Sequence, residues 1–128
     1  MCSLLIVDDH TINREWIKTW LGDVFPDWEF HEAENGKTAL EMVLLHEPDA
    51  VLMDISMPVM DGIEATERMA QSAPDIPVLI MTLHTAPAYR DRAYEAGAAA
   101  FLRKDRVDTE LLPLIESIVL EKQSLEEV

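Results

Sequence analysis

Val51-Leu52-Met53-Asp54-Ile55-Ser56-Met57-Pro58-Val59-Met60-Asp61-Gly62 is the stretch that decides the fold. An apolar run, Ala50 to Met53, drives straight into a carboxylate. A turn-forming segment with Pro58 follows, then Asp61-Gly62 ahead of a helical pattern. An apolar run this short, bounded by turn signals, reads as a strand buried on both faces. Asp54 then stands at the C-terminal tip of that strand, the edge where open α/β sheets bind their ligands. A lone aspartate at such a tip commonly does no more than cap a loop. The other strand tips shift the balance.

Working outward, residues 4–7 form a second continuous apolar run, ending in Asp8-Asp9. Residues 11–21 have helical spacing that sets Ile12, Trp16, Ile17, Trp20 and Leu21 on one face, with the Trp pair expected in the core and Gly22 at the helix end. Residues 28–33 alternate loosely, as an edge strand does. Asn35-Gly36 is a turn signal. Residues 37–46 read as a second helix with Ala39, Leu40, Val43 and Leu44 inward, stopped by Pro48. A third helix covers 62–72. Residues 78–81 form a fourth apolar strand ending at Thr82. A helix over 87–96 follows, with Pro near its start and Gly97 just past its end. Residues 98–102 form a fifth strand, followed by Arg103-Lys104. Asp108 is expected to cap a last helix through Val119, with Leu111, Leu112, Ile115, Ile118 and Val119 as its buried stripe. Pro113 falls early in it and either costs one backbone bond or delays the start by a turn. Five β-α units of this kind build a parallel sheet with helices on both faces. Right-handed crossovers make a doubly wound sheet of order 2-1-3-4-5 the natural solution. One domain, 1–120, is expected, with an acidic tail, 121–128, that frays or begins a linker.

The composition narrows the function. A chain of 128 residues supports one core. Its formal net charge of −15 argues against gripping nucleic acid, which needs Lys and Arg, and against anionic membranes. No apolar run approaches the roughly 20 residues that span a bilayer. The first residues meet two acids without a basic n-region, unlike a signal peptide. Cys2 is the only cysteine, so an intrachain disulfide or cysteine zinc site is excluded. A cytoplasmic protein is the expectation. The seven methionines are expected to fill gaps in the core.

The strand tips carry Asp8-Asp9, Asp54 and Thr82, with Lys104 just past the fifth strand, and in a parallel sheet they share one edge. Crowded carboxylates repel and raise at least one pKa unless a cation compensates. Mg²⁺ favours carboxylate oxygens and commonly takes one or two of them plus a phosphate. Lys104 adds an ammonium able to reach phosphate oxygens, and Thr82 a hydroxyl. A carboxylate nucleophile, a cation, an ammonium and a hydroxyl make a phosphoryl-transfer site. His10 and His84 flank it.

At Val7-Asp8-Asp9-His10, at the stretch from Leu52 to Gly62, at Met81-Thr82 and at the stretch from Gly97 to Lys104, the chain resembles the receiver domain of two-component response regulators. The likeness covers about residues 3–120, and its motifs look most like receivers that precede a helix-turn-helix DNA-binding domain. It implies a flavodoxin-like fold and a phosphorylation switch rather than an enzyme, either as the receiver part of a transcriptional response regulator or as a stand-alone receiver. It implies Asp54 as phosphoacceptor, with a sensor histidine kinase or phosphotransfer protein as donor. It implies Mg²⁺ held by Asp9, Asp54 and the carbonyl of Ser56, with Asp8 partly through water. Thr82 and Lys104 become phosphoryl ligands, and Phe101 the movable aromatic of a switch that alters the fourth-helix face and recruits a second copy or another protein. Two residues depart from the family pattern. Asp105 follows the lysine where proline is common, so a trans bond is expected there. Leu83 is bulky where a small residue is usual, and is expected to narrow access to the phosphate. Ser56 and His84 stand where they would flank the water that hydrolyses the acyl phosphate.

Three rival readings carry less of the pattern. A metal-dependent phosphatase with an aspartyl-phosphate intermediate would show an Asp-x-Asp pair and a cap insertion. A flavodoxin-type cofactor carrier would need a Ser/Thr/Gly-rich phosphate loop after the first strand, where Asp8-Asp9-His10 stands. A receiver-shaped module that never takes phosphate has no use for the intact Asp54, Thr82 and Lys104.

Overall fold

The apolar runs of the sequence become the inner strands of one parallel sheet. The computed structural model describes residues 2–55, 57, 60–83 and 86–120. In chain order the elements are β1 (Ser3–Val7), α1 (Thr11–Val24), β2 (Glu29–Ala33), α2 (Gly36–His46), β3 (Ala50–Asp54), α3 (Gly62–Ser72), β4 (Val78–Thr82), α4 (Pro87–Glu95), β5 (Ala100–Arg103) and α5 (Val107–Ile115). A 3-10 turn, Lys104–Arg106, leads from β5 into α5, and a π-turn, Glu116–Leu120, carries the helix on. The sheet order is β2-β1-β3-β4-β5 with every pair parallel, the order expected.

Alternation along the strands builds two cores. Leu5, Val7, Val51, Met53, Val78 and Ile80 pack toward Ala39 and Val43 of α2, Ile63 and Met69 of α3 and Ala93 of α4. Leu4, Ile6, Leu52, Leu79, Met81 and Leu102 pack toward Ile17 and Leu21 of α1 and Leu111, Ile115 and Val119 of the last helix. Each such aliphatic side chain contributes roughly 1.5–3 kcal/mol on burial, and these strands have no polar face to lose. Met53, Met69 and Met81 are buried core residues, as expected of the methionines.

Several expectations are corrected. α1 runs through Gly22 to Val24, and the Phe25 N–H closes its last turn on the Leu21 carbonyl at 2.7 Å. Ile12 and Trp16 are not core; they are 80% and 51% exposed, and Trp16 stacks on the half-buried Trp20 at 5.6 Å. The reason is angular: at 3.6 residues per turn Ile12 lies about 140° from Ile17, so the buried stripe is the narrower one through Ile17 and Leu21. Leu44 likewise points outward, 61% exposed, while Ala39 and Val43 are buried. β5 starts at Ala100 rather than at residue 98: Ala98 still closes the turn after α4, its N–H donating to the Ala93 carbonyl at 3.0 Å past Gly97 with its φ of +108°, and the Ala99 N–H makes the first bond to β4, at the Val78 carbonyl, 2.9 Å away. Pro113 does not delay the last helix; α5 already starts at Val107, ahead of the expected Asp108 cap. Among the described residues no peptide bond is cis, so Lys104–Asp105 is trans as expected. The tail 121–128 lies outside the described residues.

Two contacts hold the frame in ways that can be tested. α3 begins against β3: the Gly62 N–H donates to the Ile55 carbonyl at 2.9 Å, and a Cβ at position 62 would stand 2.0 Å from the Asp54 carbonyl oxygen. Gly→Ala inside a helix ordinarily gains about 0.5–1 kcal/mol. At Gly62 the sign is expected to invert, so urea unfolding of Gly62→Ala should show a loss; a gain would mean the backbone of β3 yields easily.

At the sheet edge, His31 of β2 stacks on His46 from the last turn of α2, with ring centroids 4.0 Å apart. Burial, and then the charge of a protonated His46, push the His31 pKa below the ordinary histidine value, with Glu29 opposing. The unfolded chain therefore takes up the proton first. Stability is fully present above about pH 6.5 and falls as pH drops through the folded-state value. Urea midpoints at pH 7.5 and pH 5 should differ more for the parent than for His31→Gln. Equal differences would remove His31 as the cause.

Candidate functional site

The strand register brings the polar tips into one row. Val7 pairs with Met53, so Asp8 and Asp54, each one residue further on, stand side by side. Asp54 pairs with Met81, and Thr82 is the next residue along β4. Thr82 pairs with Arg103, and Lys104 is the next residue after β5. The Asp8 N–H donates to the Ala33 carbonyl of β2 at 3.1 Å, extending the β1 ladder by one bond and fixing where the chain leaves the sheet.

The side chains converge. Lys104 Nζ donates to Asp54 Oδ2 at 3.2 Å and lies 2.6 Å from Asp8 Oδ2. The second contact is an ion pair outside hydrogen-bond angles, so Asp8 Oδ2, fully enclosed, faces positive charge without accepting a hydrogen bond. Asp8 Oδ1 accepts from the His10 N–H at 2.9 Å. His10 Nδ1 lies 3.0 Å from Asp9 Oδ1 and 3.3 Å from Asp8 Oδ1. Asp8, Asp54 and Thr82 are buried, and Asp9 opens toward solvent. Burial alone would lower the Lys104 pKa, but the Asp8 carboxylate and then Asp54 outweigh it and hold the ammonium above the ordinary lysine value.

Asp8, Asp9, Asp54 and Lys104 are thus brought together, and Thr82 sits at the end of β4 beside the residue that pairs with Asp54. Phe101 lies deeper along β5, level with Ile80, half-buried against the helix α4 side of the core. Leu83 points into solvent. Ser56 and His84 lie outside the described residues. Sequence reasoning missed Arg14. Its Nη1 donates to the Asp8 carbonyl at 2.5 Å and its Nε to Glu32 Oε1 at 3.3 Å, pinning the backbone under the acid pair to β2. The one signal was its place about 60° round the helix from Ile17, on the side facing the sheet.

A small divalent cation fits these groups. One ligand atom each from Asp8, Asp9, His10 and Asp54 lie within 4.8 Å of one another. The buried Asp8 oxygen with no hydrogen bond is the kind of group such an ion satisfies.

Comparison with known proteins agrees with the geometry. Residues 4–116 match the model of the response regulator receiver domain. The transcriptional regulatory protein DegU of Brevibacillus brevis is 36% identical over 104 residues, 80% of this chain and 44% of DegU. The response regulator UvrY of Escherichia coli is 35% identical over 118 residues, 92% of this chain and 54% of UvrY. The chain spans about half the length of the curated relatives it matches. Among solved structures, a two-component response regulator of the LuxR family from an Aurantimonas species superposes with a TM-score of 0.86 at 32% identity, over 94% of this chain and 86% of that one. A DNA-binding response regulator of the LuxR family from Staphylococcus aureus gives 0.84 at 27% identity, over 92% and 98%. With a sheet of the expected order and acids, threonine and lysine at its C-terminal edge, the chain belongs to the response regulator receiver domain family of two-component systems.

Proposed function

We propose that Asp54 accepts a phosphoryl group from the phosphohistidine of a sensor histidine kinase or phosphotransfer protein. The observation that carries this reading is the buried Asp54 carboxylate at a strand tip, with the Lys104 ammonium at 3.2 Å and Asp8 beside it. An Asp54 oxygen forms the new bond to phosphorus as the phosphorus–nitrogen bond to the donor imidazole breaks, and that imidazole leaves with the electron pair. Lys104 follows the phosphoryl oxygens on its flexible stem, and Thr82 donates its hydroxyl to one of them. Asp8, Asp9, Asp54 and the carbonyl of Ser56 would hold Mg²⁺, which when bound offsets the negative charge of the phosphoryl oxygens. The protein is the acceptor and assists its own transfer; it turns over no separate substrate.

The phosphoryl group adds about −1.5 to −2 charge and three acceptor oxygens. Drawing Thr82 toward it vacates space that Phe101 turns inward to fill, altering the face of α4, β5 and α5. That face then takes a second copy or another protein. The names of the relatives support reading this as the receiver of a transcriptional regulator, with a stand-alone receiver as the alternative, acting in the cytoplasm. Among the described residues no helix is long and apolar enough to cross a membrane.

Treatment with acetyl phosphate or beryllofluoride in Mg²⁺ should label the parent and not Asp54→Asn, and amide shifts should appear at Thr82 and Phe101. Absence of a covalent adduct on Asp54 overturns the acceptor assignment. Label without shifts at Thr82 and Phe101 overturns the switch.

Lys104 should also carry stability. Its raised pKa means that the folded state holds the proton more tightly than the unfolded chain. This stabilisation is complete below about pH 10.4 and is lost as pH rises through the folded value. Lys104→Ala should cost on the order of 2 kcal/mol, less than the roughly 3–5 kcal/mol of an enclosed pair because the site edge meets water. Millimolar Mg²⁺ should restore more stability to the variant than it adds to the parent, measured by urea unfolding. An unchanged midpoint in Lys104→Ala would show that the acids need no counter-charge.

A further inference from the structure

The large apolar side chains left exposed among the described residues are not evenly scattered. Ile12, Trp16 and Val24 lie on one line along α1, at 80%, 51% and 41% exposure. Trp20, half-buried, completes the line and stacks on Trp16 at 5.6 Å. The spacing is i, i+4, i+8, i+12, which makes a single ridge roughly 18 Å long that turns about 40° at each step. Its middle stands about 100° round the helix from Ile17 and Leu21, the residues that bury α1 on the sheet. The phosphoacceptor site and its switch leave this ridge unused, since α1 covers one face of the sheet and α4 the other. Contiguous apolar surface, unlike single exposed residues, marks a place where something docks.

What fits the ridge follows from its order. Read from either end it runs β-branched aliphatic, tryptophan, tryptophan, β-branched aliphatic, with Lys18 at the midpoint. A two-fold interface asks one surface to be complementary to itself. Ridges of this kind lie side by side when two helices cross at about −50°. With the second helix reversed, Ile12 meets the second copy's Val24, and Trp16 meets its Trp20. We propose that α1 is a self-association surface on which a second copy of this chain docks antiparallel through Ile12, Trp16, Trp20 and Val24. The charges allow it. Lys18 stands about 180° from the middle of the ridge and pairs with Glu32 at 3.5 Å, so the two lysines nearest the axis do not confront each other. Arg14 is turned inward to the Asp8 carbonyl. Asp23 is the one charge beside the ridge, and the two-fold holds its two copies about 15 Å apart, beyond the roughly 10 Å over which charges act at 0.1 M salt. The area sets the strength. Aromatic side chains bury about 150–250 Å² each, so this partly covered ridge offers less than the roughly 800 Å² per partner of a standard interface. The dimer is therefore weak and exchanges with monomer. Each copy carries a formal charge of −15, so apolar contact holds the pair against mutual repulsion. No phosphoryl group is needed, and Asp54→Asn should associate as the parent does.

The test is sedimentation of the unphosphorylated protein from about 10 µM to about 1 mM, the range of a weak interface, at low and high salt. The samples are the parent, Ile12→Lys, Trp16→Lys, Val24→Glu, and an equal mixture of Ile12→Lys with Val24→Glu. The parent should form dimers that strengthen as salt screens the repulsion. Each single variant should associate more than about tenfold more weakly, the scale of a hot-spot loss. The mixture should recover at low salt, because the new ammonium and carboxylate then face each other while the second Ile12–Val24 contact stays native. The substituted side chains are exposed, so urea midpoints close to the parent's are expected and show that the variants fold. Association that weakens as salt rises overturns the proposal, since ion pairs would then hold the copies. A parent that stays monomeric throughout, with its tryptophans open to acrylamide quenching, also overturns it and leaves the ridge to a different protein. Dimers that survive in all three variants place the contact elsewhere, and loss without recovery in the mixture rules out the antiparallel order. Dimers that appear only after acetyl phosphate treatment belong to the switch face and overturn the proposal while leaving the phosphoacceptor reading intact.

Discussion

One ammonium balancing two buried carboxylates is the constraint on which the rest of the structure depends. Asp8 and Asp54 stand side by side where β1 and β3 end, and Lys104 reaches both. Two carboxylates this enclosed would otherwise face each other's negative charge uncompensated. The sheet therefore has to deliver β5 to the right register, because Lys104 is its next residue. It also has to leave the edge open, because a fully enclosed pair would cost more in desolvation than its attraction returns. The architecture meets both demands: the two apolar cores of the sheet are sealed beneath, and the polar row is held at the rim where water and ions arrive.

Around that row the backbone is braced from three sides. Arg14 holds the Asp8 carbonyl and ties it to Glu32 of β2. Gly62 lets α3 start in direct contact with the end of β3. The Asp61 side chain accepts from the Glu64 N–H at 2.8 Å and caps that same helix. The Asp8 backbone is thus held from β2 and α1, while its Oδ1 accepts from the His10 N–H and Asp54 Oδ2 accepts from Lys104.

The sheet order and four of its strand tips were legible because a parallel strand buried on both faces has no polar residues to spare. When Leu4 to Val7 or Ala50 to Met53 runs into aspartate, the change of polarity marks both the end of the strand and the edge of the sheet. The helices were less legible. Their apolar residues outnumber the positions that face the sheet, so Ile12, Trp16 and Leu44 read as core and proved to be surface. Arg14 was invisible for the opposite reason: an arginine in an amphipathic helix ordinarily marks the solvated side, and only the strand-end carbonyl beside it shows why this one turns inward. His10 was legible as a neighbour of the site, but its approach to both acids follows from a helix start that no local pattern specifies.

The parallel connectivity has a consequence for how the molecule assembles. Lys104 and Asp54 are 50 residues apart in the chain, and they meet only after the β4 and β5 crossovers are complete. Such contacts are slow to form, because loop closure must precede their reward. A partly folded chain with β1 and β3 in place but β5 undocked holds its acids together with no counter-charge. That intermediate is penalised electrostatically as well as by its uncovered apolar face. The residues that carry the signalling chemistry thereby sharpen the cooperativity of folding, and a fragment lacking β5 forfeits the balance that lets the remaining strands come together.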